Sequence, residues 1–519
     1  MYLNAIRKRF ADDQDIKTLV VICLTEILKA TEEELVECLD TILEMLVEID
    51  FNKNSKLYML SKEAGEKLRS KVLYYLETNK EVANMLINII VACINKYFER
   101  ENSNIKKWVL AWFYFLLNID EPNIFLSLWM HLVDLINLLP KYDDEEIINV
   151  TENLIQELLN KFKRYESSIS KNICFNLCKR LLDNFNEYEL EPNQQLLSLD
   201  WIIASFETGI KGDVSSVDAY VGCNNLEDIL VNCLQLIIDN QQSSDIKIKE
   251  RLNTLNCVLL ANLENADKLL EDKQDNRFYN VLSLFNTKLK SADLVTIQFI
   301  IKWLERIFEL NSKLFEANID DFIAVLDSEA HAILNYIMTF MANLVNGLQS
   351  KDVIYKIVNF YTSHNRKDAK IKHFIDFIKI LMPTSVNAIK IFIEIVSLLL
   401  DQADDVYLLK VIDSFQSLYV TDPNFAFLRD FIKHVKLGKL SPSDKEHYAK
   451  IVELWSRNYT ASYALCIASG KYKTAYRIIL WLAQNNIRKH SIDQLHAFIR
   501  MMETPYFAYI RIDLLKYNQ

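Results

Sequence analysis

Apolar residues recur every three or four positions along almost the whole chain, which is the pattern of amphipathic helices. Between Leu35 and Ile49 they fall on one helical face. The stretch Ile105–Ile119 is apolar on nearly all sides, and a helix of that kind needs neighbours on both flanks. A short link at 120–122 leads to a second predicted helix, Asn123–Leu139. The pattern therefore predicts paired helices joined by short links.

Similar helical pairs recur further along the chain. Tryptophan-bearing helices are predicted around Trp112, Trp201 and Trp303, at spacings near a whole number of repeats of roughly 40–47 residues. The 519 residues include only seven glycines and seven prolines, whereas average usage is about 7% and about 5%. The predicted fold class is all-α, a HEAT/armadillo-like helical-hairpin solenoid with a helical C-terminal domain.

The predicted organisation has two parts. Residues 1–330 form HEAT-like repeats with an irregular insertion near 208–225, where three of the seven glycines lie. Residues 331–519 form a helical C-terminal domain that binds partners. Capping boxes, in which a Ser or Thr side chain and an acid three residues later cap a helix, are predicted at Thr31–Glu34 and Ser443–Glu446.

The charge distribution limits the partners. The net charge is −11, so no overall basic field exists to hold nucleic acid. Residues 26–50 contain nine acids and one base, while residues 471–519 contain eight Lys or Arg and three acids. These are either two solvated faces or a pair of complementary docking surfaces.

The sequence contains no motif for catalysis or for a cofactor. No glycine-rich phosphate loop, HExxH or GxSxG is present, and the nine cysteines include no CxxC pair. We therefore expect no enzyme activity, no cofactor and no metal site. The N-terminus lacks an apolar signal core, and the longest stretch without charge, Ala330–Ser350, suits a buried helix. Any membrane contact is expected to be peripheral.

Aromatic residues interleave with basic residues in the C-terminal part, a composition typical of protein-binding hot spots. Single-stranded nucleic acid could also stack on such residues, but the acidic chain disfavours it. Two stretches carry unusual motifs. The first, Glu453–Leu480, contains Trp455 and a Tyr-x-x-Ala-Tyr step at 472–476. The second, Ala497–Lys516, contains Glu-Thr-Pro-Tyr-Phe-Ala-Tyr-Ile-Arg at 503–511.

Together these motifs resemble the vacuolar HEAT-repeat scaffold family of the PIKfyve (phosphatidylinositol 3-phosphate 5-kinase) complex. Upstream, Asp404–Ile432 resembles the helix pair that precedes them. The resemblance implies a non-catalytic scaffold that assembles a lipid kinase and a Sac-family phosphoinositide phosphatase, which together control phosphatidylinositol 3,5-bisphosphate. It also implies a cytoplasmic protein, peripheral on endosomal or vacuolar membranes. It further implies a homo-oligomer built from C-terminal helices. Because the family has a further helical segment after this motif that this sequence lacks, weaker self-association, or none, is expected here.

The candidate partner-binding residues are Trp455, Tyr472, Tyr476, Pro505, Tyr509 and Arg511. Pro505 is expected to break the helix at Thr504, because proline disfavours helix in the residue before it, and the following turn would present Tyr509 and Arg511. The alternative hypothesis is a generic HEAT-repeat adaptor of membrane traffic or transport, which would share only the architecture.

Overall fold

The structure, a computed structural model, describes most of the chain. The described residues are 18, 21–22, 32–47, 56–100, 102–119, 121–139, 144–166, 169–187, 189–211, 226–270, 278–290, 293–326, 331–363, 368–438, 440–484, 496, 499–500 and 502–517. Within these ranges all regular secondary structure is helical. The chain divides into two compact units, residues 1–270 and 271–519.

The helices of the first unit are α1 Glu32–Val47, α2 Lys56–Thr78, α3 Lys80–Phe98, α4 Ser103–Leu117, α5 Pro122–Leu128, α6 Leu132–Leu138, α7 Glu145–Arg164, α8 Lys171–Glu187, α9 Pro192–Lys211, α10 Leu226–Asp239, α11 Ile246–Ala261 and α12 Leu263–Leu269. Within this unit α8 packs on α9 and on α10, and α9 packs on α11. Each hairpin therefore contacts the next one along the chain.

The helices of the second unit are α13 Tyr279–Leu289, α14 Leu294–Leu310, α15 Ser312–Ala317, α16 Ile319–Val325, α17 His331–Leu348, α18 Lys351–Thr362, α19 Asp368–Thr384, α20 Ala388–Gln402, α21 Asp405–Thr421, α22 Ala426–Lys436, α23 Pro442–Trp455, α24 Tyr459–Ala468, α25 Tyr472–Gln484 and α26 Pro505–Tyr517. Short 3₁₀ helices lie at Trp129–His131 in the first unit and at Pro423–Phe425 in the second.

Two rows of helices run through the second unit. In one row α14 packs on α17, α17 on α19 and α19 on α21, while in the other α16 packs on α18, α18 on α20 and α20 on α23. Such stacking of successive hairpins is the architecture of a helical-repeat solenoid, in which each repeat contacts its neighbours. The predicted fold class is confirmed.

Polar side chains join consecutive hairpins at a regular separation along the sequence. Asn137 and Asn184 exchange two hydrogen bonds of 2.7 and 3.1 Å across 47 residues. Lys356 Nζ donates to Asp320 Oδ2 at 3.0 Å across 36 residues. Comparable bonds join Gln298 to Tyr336, Asn343 to Glu305, Asn346 to Ser385 and Thr362 to Gln402. These separations reveal a repeat that the degenerate apolar pattern only suggests.

Several local predictions differ from the structure. The capping box at α23 is formed by Ser441 and Asp444 rather than by Ser443 and Glu446. The reason is Pro442, whose fixed φ and missing N–H suit the first helical position. Helix α9 continues to Lys211, so the predicted insertion is helical over 208–211, and residues 212–225 lie outside the described part. The predicted helix 123–139 is divided into α5, a 3₁₀ turn and α6.

Other predictions stand without a test or fall on undescribed residues. The predicted domain boundary at 330/331 lies inside the second compact unit and stays a prediction. Thr31 of the first capping box lies outside the described residues. Within the uncharged stretch 330–350, residues 331–348 form α17, whose apolar residues from Leu334 to Val345 are mostly buried, as predicted.

Helix α3 has the length and apolar composition of a membrane span. One face of it, which includes Leu86, Ile90 and Ile94, is buried where α3 packs on α1, α2 and α4, while Met85 is exposed. Within the described residues α3 is therefore a core helix that passes the compositional test for a span.

A pair of glycines gives a matched prediction about the core. A Cβ added at Gly209 would lie 2.9 Å from Phe175 Cε1 and 3.2 Å from Cys174 Cβ, whereas at Gly65 nothing lies within 4 Å. We expect Gly209→Ala to destabilise by about 1–3 kcal/mol through overpacking, and Gly65→Ala to stabilise by up to about 1 kcal/mol through helix propensity. Urea unfolding of both variants measures these effects. Equal shifts of the unfolding midpoint in the two variants would contradict the close contact of Gly209 with Phe175.

Candidate partner-binding surface

Helix α24 is the centre of the C-terminal cluster, which consists of helices α23 to α26. It contacts α23, α25 and α26, as well as α21 and α22 upstream. Three alanines, Ala461, Ala464 and Ala468, are among its buried residues. Because alanine side chains are small, helices can approach α24 closely on several sides. The composition of this ten-residue helix thus fixes the positions of its neighbours.

The ends of α24 are defined by specific hydrogen bonds. The Asn458 side chain accepts from the N–H of Ala461 at 3.0 Å, and its Nδ2 donates to Asp413 Oδ1 at 2.7 Å. At the other end, the Lys471 N–H donates to the Cys466 carbonyl, while Gly470 has φ +74°. This is a left-handed helix ending, for which glycine is preferred. The two ends therefore set the directions of α23 and α25.

Trp455, one of the predicted partner-binding residues, lies in the core instead. Its side chain is 1% exposed, and its ring stacks on Phe415 with centres 6.4 Å apart. Its Nε1–H donates to Gln416 Oε1 at 2.9 Å. The cause is its position on the inner face of α23, beside Leu454 and Ile451, which are also buried. In this structure Trp455 supports the cluster and has no surface to offer a partner.

Helix α25 presents aromatic residues outward. Its exposed positions recur at helical spacing, and they include Lys473, Tyr476, Arg477, Leu480 and Trp481. Tyr476 is 64% exposed and Trp481 is 49% exposed. The opposite face carries the buried Ala475. Helix α25 is thus apolar on its exposed side too, and large exposed apolar groups beside basic ones are typical of protein-binding hot spots.

Tyr459 extends this surface. Its ring lies 5.2 Å from the ring of Trp481 and is tilted by 32°, and it is itself partly exposed. Tyr472, at the start of α25, is half-buried. We name the set formed by Tyr459, Tyr476, Leu480 and Trp481 the α25 surface. Of these residues, only Tyr476 was predicted from the sequence as a site residue. The helical spacing of 476, 480 and 481 indicates that these positions share one face, and it could have identified Trp481.

Helix α26 holds the remaining predicted residues. Pro505 occupies its first position, and Phe507 and Ile510 are buried where α26 packs on α24. The helix break at Thr504 was predicted, but a helix follows it, not a turn. Arg511 lies on this helix and is exposed, as are Ile512 and Leu515. The side chain of Tyr509 lies outside the described part.

The electrostatics of this region suit the binding of a partner. Burial raises the pKa values of Tyr448, Tyr463 and Cys466, which disfavours their ionised forms. Exposed Lys471, Lys473 and Arg477 supply positive charge near the α25 surface. Among the described residues, no group of three or more His, Cys, Asp or Glu side chains could hold a metal ion.

Three solved structures of repeat proteins align with most of the chain at low similarity. The first is an engineered protein, with 12% identity, a TM-score of 0.23, and an alignment that covers 97% of this chain and 98% of that one. The second is Kap95p with RanGDP, with 12% identity, a TM-score of 0.26, and coverage of 97% of this chain and 69% of that one. The third is a circular tandem repeat protein, with 15% identity, a TM-score of 0.30, and coverage of 93% of this chain and 98% of that one. Because these TM-scores are low, the fold assignment rests on the helix packing described above.

Residues 369–519 match a family model described as vacuolar protein 14 C-terminal Fig4p binding. The chain is also 26% identical over 106 residues to a VAC14 homolog of Arabidopsis thaliana. That alignment spans 20% of this chain and 14% of the relative. The helices of the C-terminal cluster, α23 to α26, all lie within the matched range. The matches confirm the resemblance drawn from the sequence: in its C-terminal segment, residues 369–519, the chain is similar to the Vac14-type scaffold proteins of the PIKfyve complex.

Proposed function

We propose that this protein is a non-catalytic scaffold that binds a Sac-family phosphoinositide phosphatase through its C-terminal cluster. The observation that carries the proposal is the α25 surface, an exposed aromatic face within the range that matches the Fig4p-binding family model. Aromatic side chains with neighbouring Arg or Lys are the residues that most often dominate binding energy. The helices behind α25 are well packed, so the surface is presented on a rigid support.

The finer proposal concerns the complex as a whole. The scaffold also holds the phosphatidylinositol 3-phosphate 5-kinase, and so brings together the two enzymes that control phosphatidylinositol 3,5-bisphosphate. It acts in the cytoplasm, peripherally on endosomal or vacuolar membranes, and can self-associate through its C-terminal helices. The resemblance supports this proposal, and the repeats before residue 369 provide a second surface on which the kinase could dock.

A generic HEAT-repeat adaptor of membrane traffic is the second candidate, because the family model matches only residues 369–519 and the helices before them stack as a helical-repeat solenoid. Affinity purification of the full chain from its native cell distinguishes the two. Recovery of a lipid kinase together with a Sac-type phosphatase is expected. Recovery of coat or transport proteins without either enzyme would favour the adaptor.

Charge reversal on α26 tests the contribution of Arg511. Arg511→Glu is expected to weaken phosphatase binding about tenfold, equivalent to about 1.4 kcal/mol, because an exposed charge steers and pairs with the partner. The helical circular dichroism should not change, since the side chain is exposed. Lys302→Glu, an equal change at an exposed position of α14, is the control. If both variants bind the phosphatase equally tightly, Arg511 has no specific role in binding.

A further inference from the structure

A groove lies in the first compact unit, between helices α1, α2, α4 and α7. It consists of two adjoining cavities of about 230 and about 650 Å³. Both are lined by Arg69, Lys107, Ala111 and Glu146, so they form one continuous depression. We call it the Arg69 groove. All its lining residues precede residue 369, and the function proposed for the C-terminal cluster does not use it.

Arg69 lies against aromatic rings on the wall of this groove. Its guanidinium carbon is 4.9 Å from the ring centre of Trp112 and 5.7 Å from that of Phe115. Stacking of this kind holds the guanidinium plane in one orientation. Its Nε is buried and has no hydrogen-bond partner among the described residues. Burial lowers the pKa of Arg69, an effect that Glu66 partly opposes. The buried Nε is closed to a ligand, so an anion in the groove would reach Arg69, which lines both cavities, through its terminal guanidinium nitrogens.

The charges around Arg69 indicate which anion fits. Lys107 Nζ is already paired with Asp144 at 2.6 Å and with Glu146 at 2.8 Å. Glu66 and Glu157 also line the groove, as does one further base, Lys62. A phosphate with nearly two negative charges, or a nucleic acid, would be repelled by these acids. A single carboxylate matches the fork of one guanidinium and balances its one charge.

The remaining lining suits an extended chain. Ala111 is exposed, Trp108 is half-buried and Tyr114 is 47% exposed, which gives an apolar floor. Exposed Asn153 and Gln156 line the second cavity and offer amide groups that can pair with a peptide backbone. Gly65 leaves open space at the first cavity, since nothing lies within 4 Å of a Cβ placed there.

We propose that the Arg69 groove binds an extended peptide segment of another protein, in which the side chain of one Asp or Glu pairs with Arg69. Apolar side chains beside that acid lie on Trp108, Ala111 and Tyr114. The recognised motif is therefore one acid flanked by apolar residues, with few further negative charges. The site is independent of the α25 surface.

A selection experiment tests this. A phage-displayed library of random dodecapeptides is selected on the immobilised full chain, and the enriched peptides are synthesised with a fluorophore for anisotropy. We expect the peptides to share one Asp or Glu between apolar residues. Replacing that residue by Asn or Gln should weaken binding about tenfold or more, the usual effect of losing a charged hydrogen bond. Arg69→Met should have a similar effect on the unchanged peptide.

Three further variants keep the proposal testable if Arg69→Met is unstable. Gly65→Leu adds a side chain in open space on a helix, so the fold is retained while the groove is filled, and peptide binding should be lost. Arg69→Lys, which retains charge but cannot form the same fork, should bind weakly. Lys67→Met, on the same helix but paired with Glu63 in solvent, should bind normally. The proposal is overturned if peptides bind Gly65→Leu as well as the unmodified chain, or if phosphoserine in place of the acid binds more tightly.

Discussion

Replacing Tyr476 and Trp481 together by alanine is expected to weaken capture of the Sac-family phosphatase by at least about 30-fold. Truncation of one aromatic hot-spot residue commonly costs about 2 kcal/mol or more, and 1.4 kcal/mol is a factor of ten in affinity. The two side chains are only five residues apart on α25, so their effects need not add. Biolayer interferometry with the purified phosphatase measures the change.

The fold should survive this double substitution, because both side chains are largely exposed. Tyr355→Ala provides a matched control. Tyr355 is 46% exposed on α18, and it lies before the segment that matches the family model. If the double variant binds the phosphatase as tightly as the control does, the α25 surface is not the binding site. If the double variant loses helical circular dichroism, the two residues belong to the core.

Trp455→Ala is expected to destabilise the second compact unit by about 3–5 kcal/mol, the usual cost of truncating a buried Trp or Phe. The substitution leaves a cavity beside Phe415 and Phe392, and it leaves Gln416 Oε1 without the indole donor. A fall in the urea midpoint, followed by tryptophan fluorescence and by circular dichroism, measures the effect. Phosphatase binding should then be lost only as the cluster unfolds.

Trp455→Phe separates the two contributions to this effect. A phenyl ring still stacks on Phe415, so most of the cavity is filled, but the hydrogen bond to Gln416 is gone. A loss of about 1–3 kcal/mol is expected because a buried acceptor loses its indole donor. If either variant loses binding with no change in stability, Trp455 contacts the partner directly, and the sequence-based interpretation of this residue would be restored.

Helical periodicity predicted the fold well because it depends on local pattern. The segment 105–119 and its link at 120–122 became α4 and the start of α5 almost as expected, since a core-facing apolar stripe and a Pro each act within one turn. The capping box was placed two residues late, because Ser441 and Ser443 offer similar chemistry and only the position of Pro442 distinguishes them. Local ambiguity of this kind is resolved by backbone geometry.

The candidate site was harder to predict, because exposure depends on packing between helices. Trp455 and Trp481 are the same residue type in the same motif-rich region, yet one is 1% exposed and the other 49%. The inner face of α23 is set by its contact with α20, which is distant in sequence. The Arg69 groove was likewise absent from the sequence-based predictions, since its walls come from four helices.

The two adjacent hydrogen bonds from Trp455 to Gln416 and from Asn458 to Asp413 have an evolutionary consequence. Donors and acceptors are each three residues apart, so the junction between α23 and α24 contacts α21 at two adjacent positions. Loss of one partner removes a hydrogen bond from the other at a buried position, since Gln416 is 8% and Asn458 is 5% exposed. Divergent relatives should therefore replace these residues in pairs. We expect substitutions at 416 to accompany those at 455, and substitutions at 413 to accompany those at 458.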